Sequence, residues 1–143
     1  MSRKDFYHTH AKSALEKDGW EVKHDPLPVP FAGTTLRIDL GAERLIAIKD
    51  NNTITVETIA VEVKDFLEDN DFVSEFHRML GQCSDYSFSL SKHDPNRKLY
   101  VAITEEAYYR VFCIPDIASQ VINNNIRLIV FNPNTCKIVS WKK

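Results

Sequence analysis

Apolar residues recur every three or four positions in two long stretches of the chain, the spacing of one face of an amphipathic helix. The first stretch, Arg3–Asp18, ends where Asp18-Gly19 supplies a stop signal. The second, Asp71–Ser89, carries an apolar stripe made of Phe72, Phe76, Met79, Leu80 and Cys83. Both stretches are predicted helices. Two shorter helices are predicted at 104–112 and 115–123, the latter with Pro115 in its first turn.

Short apolar runs bounded by turn residues predict strands in the rest of the chain. Before the second helix these runs are 20–24, 35–40, 44–49 and 53–64; after it they are 98–103, 127–131 and 137–141. Gly41 and Asp50-Asn51-Asn52 are predicted turns, and the proline-rich residues 25–33 a predicted extended connection. The order of elements predicts one α/β domain, residues 1–143, with a mixed sheet flanked by helices.

The composition narrows the class of protein. With 43% hydrophobic and 27% charged residues, the 143-residue chain is expected to be globular. It contains no apolar run of roughly 18 residues and no apolar leader, so no membrane segment is predicted and a cytoplasmic location is expected. The net charge of −2 gives no general attraction for nucleic acid. Phosphate binding would therefore depend on local groups or on a bound cation.

Acidic and basic residues interrupt two of the apolar runs in a way that suggests a site. Alternate residues of a strand share a face, so Glu62 and Lys64 point away from Val61 and Val63. Asp39 interrupts the neighbouring run in the same manner. If these strands are adjacent, the two carboxylates can bind Mg²⁺ or Mn²⁺, and Lys64 can stabilise charge on a phosphate. A solvated, ion-paired strand face is the alternative interpretation.

The second predicted helix adds two polar side chains. Gln82 and Tyr86 are four residues apart and share a helical face at the edge of the apolar stripe. They can hydrogen-bond a phosphate or the lysine, or they can lie at the rim of the core. Glu16, on the first helix, is a further possible cation ligand. The five histidines are scattered and show no metal-ligand spacing.

Asp39, Glu62-Val63-Lys64 and Gln82-x-x-x-Tyr86 together resemble the PD-(D/E)XK nuclease superfamily, in particular its RecB-like branch, although Ile38 replaces the proline of the motif. The resemblance implies a restriction-endonuclease-like fold. It also implies Asp39 and Glu62 as metal ligands, Lys64 as catalytic lysine, and Gln82 and Tyr86 as catalytic partners on the helix.

The chain also resembles the XisH family over almost its whole length. The matching strings are Tyr7-His8, Ala14-Leu15, Lys17-Asp18-Gly19-Trp20, His24-Asp25-Pro26, Ile38-Asp39-Leu40-Gly41-Ala42-Glu43, Val61-Glu62-Val63-Lys64-Asp65-Phe66, Leu80-Gly81-Gln82 and Arg127-Leu128-Ile129-Val130-Phe131-Asn132-Pro133. This resemblance implies an accessory factor that controls excision of the fdxN DNA element during cyanobacterial heterocyst development.

DNA, a site-specific recombinase and a companion protein, XisI, are the partners that this resemblance implies, and a homodimer is possible. An endonuclease-like factor is the first hypothesis for function. A non-catalytic regulator that binds XisI, or the toxin of a two-protein pair, is the alternative. The sequence leaves open whether the site is active and whether DNA or RNA is the substrate.

Overall fold

A computed structural model of the protein describes residues 6–48, 53–68 and 71–143. In this part of the chain the central layer is a six-stranded mixed sheet in the order β1-β4-β5-β6-β7-β8. Its strands are β1 (Glu21–His24), β4 (Leu40–Ile48), β5 (Thr53–Val63), β6 (Lys98–Thr104), β7 (Leu128–Asn132) and β8 (Lys137–Lys142). β5, β6 and β7 run parallel, and the other neighbours are antiparallel.

Helices cover both faces of this sheet and bury two separate apolar cores. α1 (His8–Lys17) packs on one face through Ala11, Ala14 and Leu15. The other face is covered by α2 (Phe72–His93), by α3 (Glu105–Ala107) with the π-helical turn Tyr108–Phe112 that continues it, and by α4 (Pro115–Asn123). The molecule is therefore a mixed α/β fold with a sheet between helical layers, as the element order predicts.

The predicted extended connection is in fact half of a small second sheet, so that prediction was wrong. β2 (Leu27–Phe31) pairs antiparallel with β3 (Thr34–Ile38). Along β2 the side chains alternate: Leu27 and Val29 are buried, and Pro28 and Pro30 are exposed. Proline is tolerated because an edge strand leaves alternate backbone positions without a ladder partner.

Gly41 is not a turn residue either. It lies inside β4, and the break between the two predicted strands falls at Asp39, between β3 and β4. A Cβ atom at position 41 would lie 3.1 Å from the His24 Cβ on the adjacent strand β1. Glycine thus allows a close approach of the two strands.

Elsewhere the predicted elements are close to those observed. α4 has the predicted bounds, and α2 continues four residues past the predicted end, to His93, after an N-cap by Asp71. The predicted start of the first helix at Arg3 and the turn at Asp50-Asn51-Asn52 lie outside the described residues. No helix in the described ranges is both long enough and apolar enough to cross a membrane.

Candidate functional site

Asp39 lies between β3 and β4, where the chain passes from the small sheet to the large one. β4 and β5 are neighbours, as the site hypothesis required, and their register pairs Leu40 with Val61. Asp39 therefore lies beside Glu62 at the carboxyl end of β5. The Val63 N–H donates to Asp39 Oδ2 at 2.8 Å, and the Asp39 N–H donates to Glu62 Oε1 at 3.1 Å. The backbone of each strand thus fixes the carboxylate of the other.

Burial makes this carboxylate pair expensive to ionise. Glu62 is only 5% exposed. Desolvation, followed by repulsion from Asp39, raises the pKa of Glu62 to about 8. Desolvation also raises the pKa of Asp39, against the lowering effect of the Val63 N–H. Burial and the closeness of the second carboxylate therefore both oppose joint ionisation of the pair. A divalent cation would favour that ionisation.

Lys64 extends from the end of β5 on the same face as Glu62. Its Nζ lies 3.5 Å from Glu62 Oε2, and its side chain is 13% exposed. The same ammonium donates a hydrogen bond to the Gln82 Oε1 of α2. The amide of Gln82 therefore holds the lysine beside the carboxylates.

Tyr86 approaches the same carboxylate from the next turn of α2. Its hydroxyl lies 3.5 Å from Glu62 Oε2 and 3.3 Å from the carbonyl of Arg37, and it can donate to one of them at a time. Burial and the negative charge of Glu62 raise the pKa of Tyr86, which keeps its hydroxyl protonated as a donor. The structure thus brings all five predicted site residues, Asp39, Glu62, Lys64, Gln82 and Tyr86, into one cluster.

His8 is a member of the cluster that the sequence pattern did not predict. It begins α1, is 4% exposed, and its Nδ1 lies 3.9 Å from Asp39 Oδ1. That nitrogen is buried without a hydrogen-bond partner, whereas Nε2 lies 2.7 Å from Asp25 Oδ1. Asp65, next to Lys64, accepts a 3.0 Å hydrogen bond from the Tyr7 N–H and so ties α1 to the site.

The signal for His8 in the sequence is its place in the Tyr7-His8 string of the family resemblance, because spacing between histidines gives no indication of it. Glu16, the candidate from the same helix, lies about two turns further along α1. It is exposed, and no hydrogen bond or ion pair joins it to Asp39 or Glu62 in the described part of the chain.

The donor atoms present fit a hard divalent cation. Asp39 and Glu62 offer carboxylate oxygens, and Mg²⁺ is commonly bound by one or two carboxylates while it keeps several waters. Among residues 6–48, 53–68 and 71–143, no three His, Cys, Asp or Glu side chains are grouped so that they could hold a metal ion.

The fold and site define a mixed α/β protein with a partly buried acidic pair and a lysine at the carboxyl end of a central strand. The sequence pattern of the XisH protein family matches residues 1–139, and the chain belongs to this family.

Two solved structures resemble the chain over nearly its entire length. One is a fdxN element excision controlling factor protein from Anabaena variabilis, with 34% identity, a TM-score of 0.85, and coverage of 98% of this chain and 100% of that one. The other is an XisH family protein from Nostoc punctiforme PCC 73102, with 34% identity, a TM-score of 0.84, and coverage of 97% and 100%. No protein of curated function matches the chain.

Proposed function

We propose that this protein is a divalent-cation-dependent, PD-(D/E)XK nuclease-like factor with a restriction-endonuclease-like fold, which hydrolyses DNA phosphodiesters while controlling excision of a DNA element. One observation carries the proposal: the buried carboxyl of Glu62 and the half-buried carboxyl of Asp39, both with a raised pKa, meet beside the ammonium of Lys64. A structural ion pair does not need a second carboxyl group. The name of the Anabaena variabilis structure supports the excision role.

Each residue has a distinct task in this reaction. Asp39 and Glu62 would hold Mg²⁺ or Mn²⁺. The cation would supply Lewis-acid polarisation of a phosphate oxygen and a lowered pKa for the attacking water. Lys64, fixed by Gln82, places its positive charge where negative charge develops on the phosphate oxygens. Tyr86 would orient the Glu62 carboxyl group when it donates its hydroxyl hydrogen to Oε2 instead of to the Arg37 carbonyl.

DNA affinity in this proposal comes from the site and not from the overall charge. At a net charge of −2 the chain has no general electrostatic attraction for a polyanion. A recombinase and XisI would then supply the location on DNA, and a homodimer would place two sites on a duplex, one for each strand.

The test is a cleavage assay on supercoiled and linear DNA with Mg²⁺ or Mn²⁺. Wild type is expected to nick or cut DNA only with the cation. Lys64→Ala is expected to lower the rate about 100-fold or more, the usual cost of removing a group that stabilises developing charge. Glu62→Gln is expected to remove cation binding as well as cleavage.

Arg44→Gln is the matched control for Lys64→Ala. Arg44 is a cation of the adjacent strand, but its partner is Glu57, at 2.8 Å, and it has no contact with the site. This variant is expected to cleave like wild type. Cleavage by Lys64→Ala at the wild-type rate would contradict the proposal.

A second candidate function, a non-catalytic regulator that binds a protein partner, is favoured by a different region. Residues 44–47 of β4 and 54–57 of β5, here called the hairpin arm, pair with each other beyond the register of β1 and β6. Leu45, Ile54 and Val56 share one face of the arm and are 72%, 67% and 51% exposed. A contiguous exposed apolar surface is typical of protein interaction sites.

The two functions separate experimentally. Co-expression with XisI followed by co-purification tests the regulator, and an Asp39→Ala variant that still supports excision control would favour it over the nuclease. Growth arrest caused by this chain alone, and relieved by XisI, would instead indicate a toxin and its neutraliser.

A further inference from the structure

A cavity of about 270 Å³ lies on the face of the large sheet that α1 covers, because Tyr100, in its lining, belongs to the core beneath α1. The residues used below are Trp20, Arg44, Glu57, Asn96, Lys98, Tyr100 and Trp141, all of which line it. Glu57 precedes Glu62 by five residues on β5, roughly 16 Å along the strand. An odd interval also places the two side chains on opposite faces of the sheet. The cavity is therefore separate from the candidate site.

Aromatic and guanidinium groups form one wall of this cavity. The ring of Trp141 lies 5.8 Å from that of Trp20 and 5.1 Å from that of Tyr100, between ring centres. The guanidinium of Arg44 lies over the Trp20 ring, 4.4 Å from its centre. Trp20 is 4% exposed, whereas the side chain of Arg44 is 39% exposed. A planar guanidinium can stack a second flat ring on its free face, so this wall suits a flat aromatic ligand.

Tyr100 contributes a hydroxyl group that lacks a partner. Its side chain is 3% exposed, yet its hydroxyl makes no hydrogen bond with any residue in the described part of the chain. Glu57 and Arg44 are among the charges that act on this hydroxyl, so it lies toward the cavity. Desolvation raises the pKa of Tyr100, which keeps the hydroxyl protonated as a donor. The indole N–H of Trp20 is likewise buried without an acceptor. Such groups are costly unless a ligand supplies the missing partner.

The charged groups of the cavity leave one positive charge uncompensated. Arg44 and Glu57 pair at 2.8 Å through a single carboxylate oxygen, so Glu57 can still accept further hydrogen bonds. Asn96 offers both an acceptor and a donor. Lys98 is exposed and forms no ion pair with the residues that the structure describes. It precedes Tyr100 by two positions on β6, so the two side chains share a face of the strand.

We propose that this cavity binds a nucleotide, with the base against the aromatic wall, the polar edge of the base at Tyr100 and Glu57, and the phosphate at Lys98. A simple aromatic acid would leave the acceptors of Glu57 and Asn96 unused, and an inorganic anion would not cover the wall. A free nucleotide and a base of a single strand share this chemistry. The inference does not depend on the proposed cation site.

Tryptophan fluorescence gives a direct readout, because the two tryptophans of the chain, Trp20 and Trp141, both line the cavity. The protein is titrated with each of the four deoxynucleoside 5′-monophosphates in the presence of EDTA, so that no divalent cation contributes. Wild type is expected to show saturable quenching with at least one of them. The corresponding nucleoside, without the phosphate, is expected to bind more weakly, and orthophosphate alone is expected not to quench.

Two variants test the contacts. Tyr100→Phe keeps the ring and removes the hydroxyl, and it is expected to weaken binding about threefold to tenfold. Lys98→Gln is expected to weaken binding about twofold to fivefold at low ionic strength and less in high salt, since an exposed charge is screened. Tyr109→Phe and Lys92→Gln are the matched controls, because they remove the same groups outside the cavity, and they are expected to bind like wild type.

A single-stranded oligonucleotide of about ten nucleotides distinguishes the two sources of the base. Tighter binding of the oligonucleotide than of the mononucleotide, weakened by both variants, would support a base within a strand. Binding of the mononucleotide alone would support a free nucleotide.

Three results would overturn the proposal: no saturable quenching by either probe, equal quenching by orthophosphate, or wild-type affinity in both Tyr100→Phe and Lys98→Gln. If Tyr100→Phe does not fold, wild-type affinity in Lys98→Gln, whose side chain is exposed, would overturn it. Because every titration excludes divalent cations, none of these results bears on cleavage at Asp39 and Glu62.

Discussion

The two ends of the β4–β5 pair both depart from the usual rule that charged side chains are exposed and apolar side chains are buried. One end is the hairpin arm, and the other, here called the base, contains Leu40, Val61 and Glu62. At the base, where β4 and β5 are interior strands, the acid Glu62 is 5% exposed and the core residues Leu40 and Val61 are fully buried. In the arm, Leu45 and Ile54 of the same two strands are 72% and 67% exposed. Charge is buried at one end of the hairpin, and apolar surface is exposed at the other.

This contrast indicates two kinds of ligand. A partly buried carboxylate pair is destabilising until a small cation neutralises it, so the base suits an ion and the phosphate that accompanies it. An exposed apolar strand face is unfavourable in water until a large surface covers it, so the arm suits a protein. The two proposed functions therefore correspond to two ends of one structural element and need not exclude each other.

Truncating one leucine at each end of β4 gives the largest expected difference. Leu40→Ala, in the core at 0% exposure, is expected to lower the free energy of unfolding by about 2–5 kcal/mol. Leu45→Ala is expected to change it by no more than about 0.5 kcal/mol, as is usual for an exposed position. Urea denaturation measures both. An equal loss for Leu45→Ala would mean that the arm is packed in the isolated chain, and the contrast would disappear.

Glu62→Gln is expected to stabilise the cation-free protein, by an amount that depends on pH. Because the pKa of Glu62 rises on folding from 4.5 to about 8, the native state retains a proton that the unfolded chain has released within this window. Stability therefore declines as pH rises through the window, on the order of a few kcal/mol in total, and the decline ends above the folded-state pKa. The variant lacks this carboxylate and is expected to show a flatter profile and a higher Tm at pH 8.

Thermal unfolding from pH 5.5 to 8.5, with and without Mg²⁺, checks this expectation. The matched control is Glu57→Gln, which removes a carboxylate of the same strand that is paired with Arg44. It is expected to keep the wild-type pH dependence, and Mg²⁺ is expected to reduce that dependence in wild type but not in Glu62→Gln. A wild-type profile in Glu62→Gln would show that the buried acid is not the source of the slope.

The smallest effect on the isolated chain is expected from charges on the arm. Leu45→Lys combined with Ile54→Lys is expected to leave stability within about 0.5 kcal/mol and cleavage unchanged, since both side chains are exposed. Binding of a protein partner, measured by co-purification and calorimetry with XisI, is expected to fall more than tenfold because a covered charge is costly.

Thr55→Lys is the control for the arm, because Thr55 pairs with Ile46 and projects from the opposite face. Unchanged partner binding in the double variant would exclude the apolar face as the interface. Loss of binding in the control as well would indicate a general effect of charge and not contact with that face.

Much of the fold could be predicted because it is encoded locally. The apolar stripe of α2, the turn chemistry before α4 and the alternation at the end of β5 depend on neighbours within a few residues. The same alternation predicts that Glu62 and Lys64 share one face of their strand. Gln82 and Tyr86 followed from helical spacing, and the structure places both against that face.

The errors occurred where local preference and tertiary pairing disagree. Proline is disfavoured in strands, and the prolines of residues 25–33 therefore suggested a connection. β2 nevertheless forms as an edge strand, stabilised by pairing with β3 and by burial of Leu27 and Val29. Gly41 suggests a turn, yet it lies within β4, where it pairs with β1 on one side and with β5 on the other. In both cases a contact between distant segments outweighed the preference of the residue itself.

The sequence by itself determined most of the element types, the acidic and basic composition of the site, and the membership in a family whose strings span the chain. Only the tertiary structure decided that Asp39 sits at a junction between two sheets, that its carboxylate accepts a hydrogen bond from β5, and that His8 and Asp25 reach the same point. The reason is physical: spacing along a strand or helix fixes which neighbours share a face, whereas contacts between separate elements depend on strand register and helix packing, which the whole core determines together.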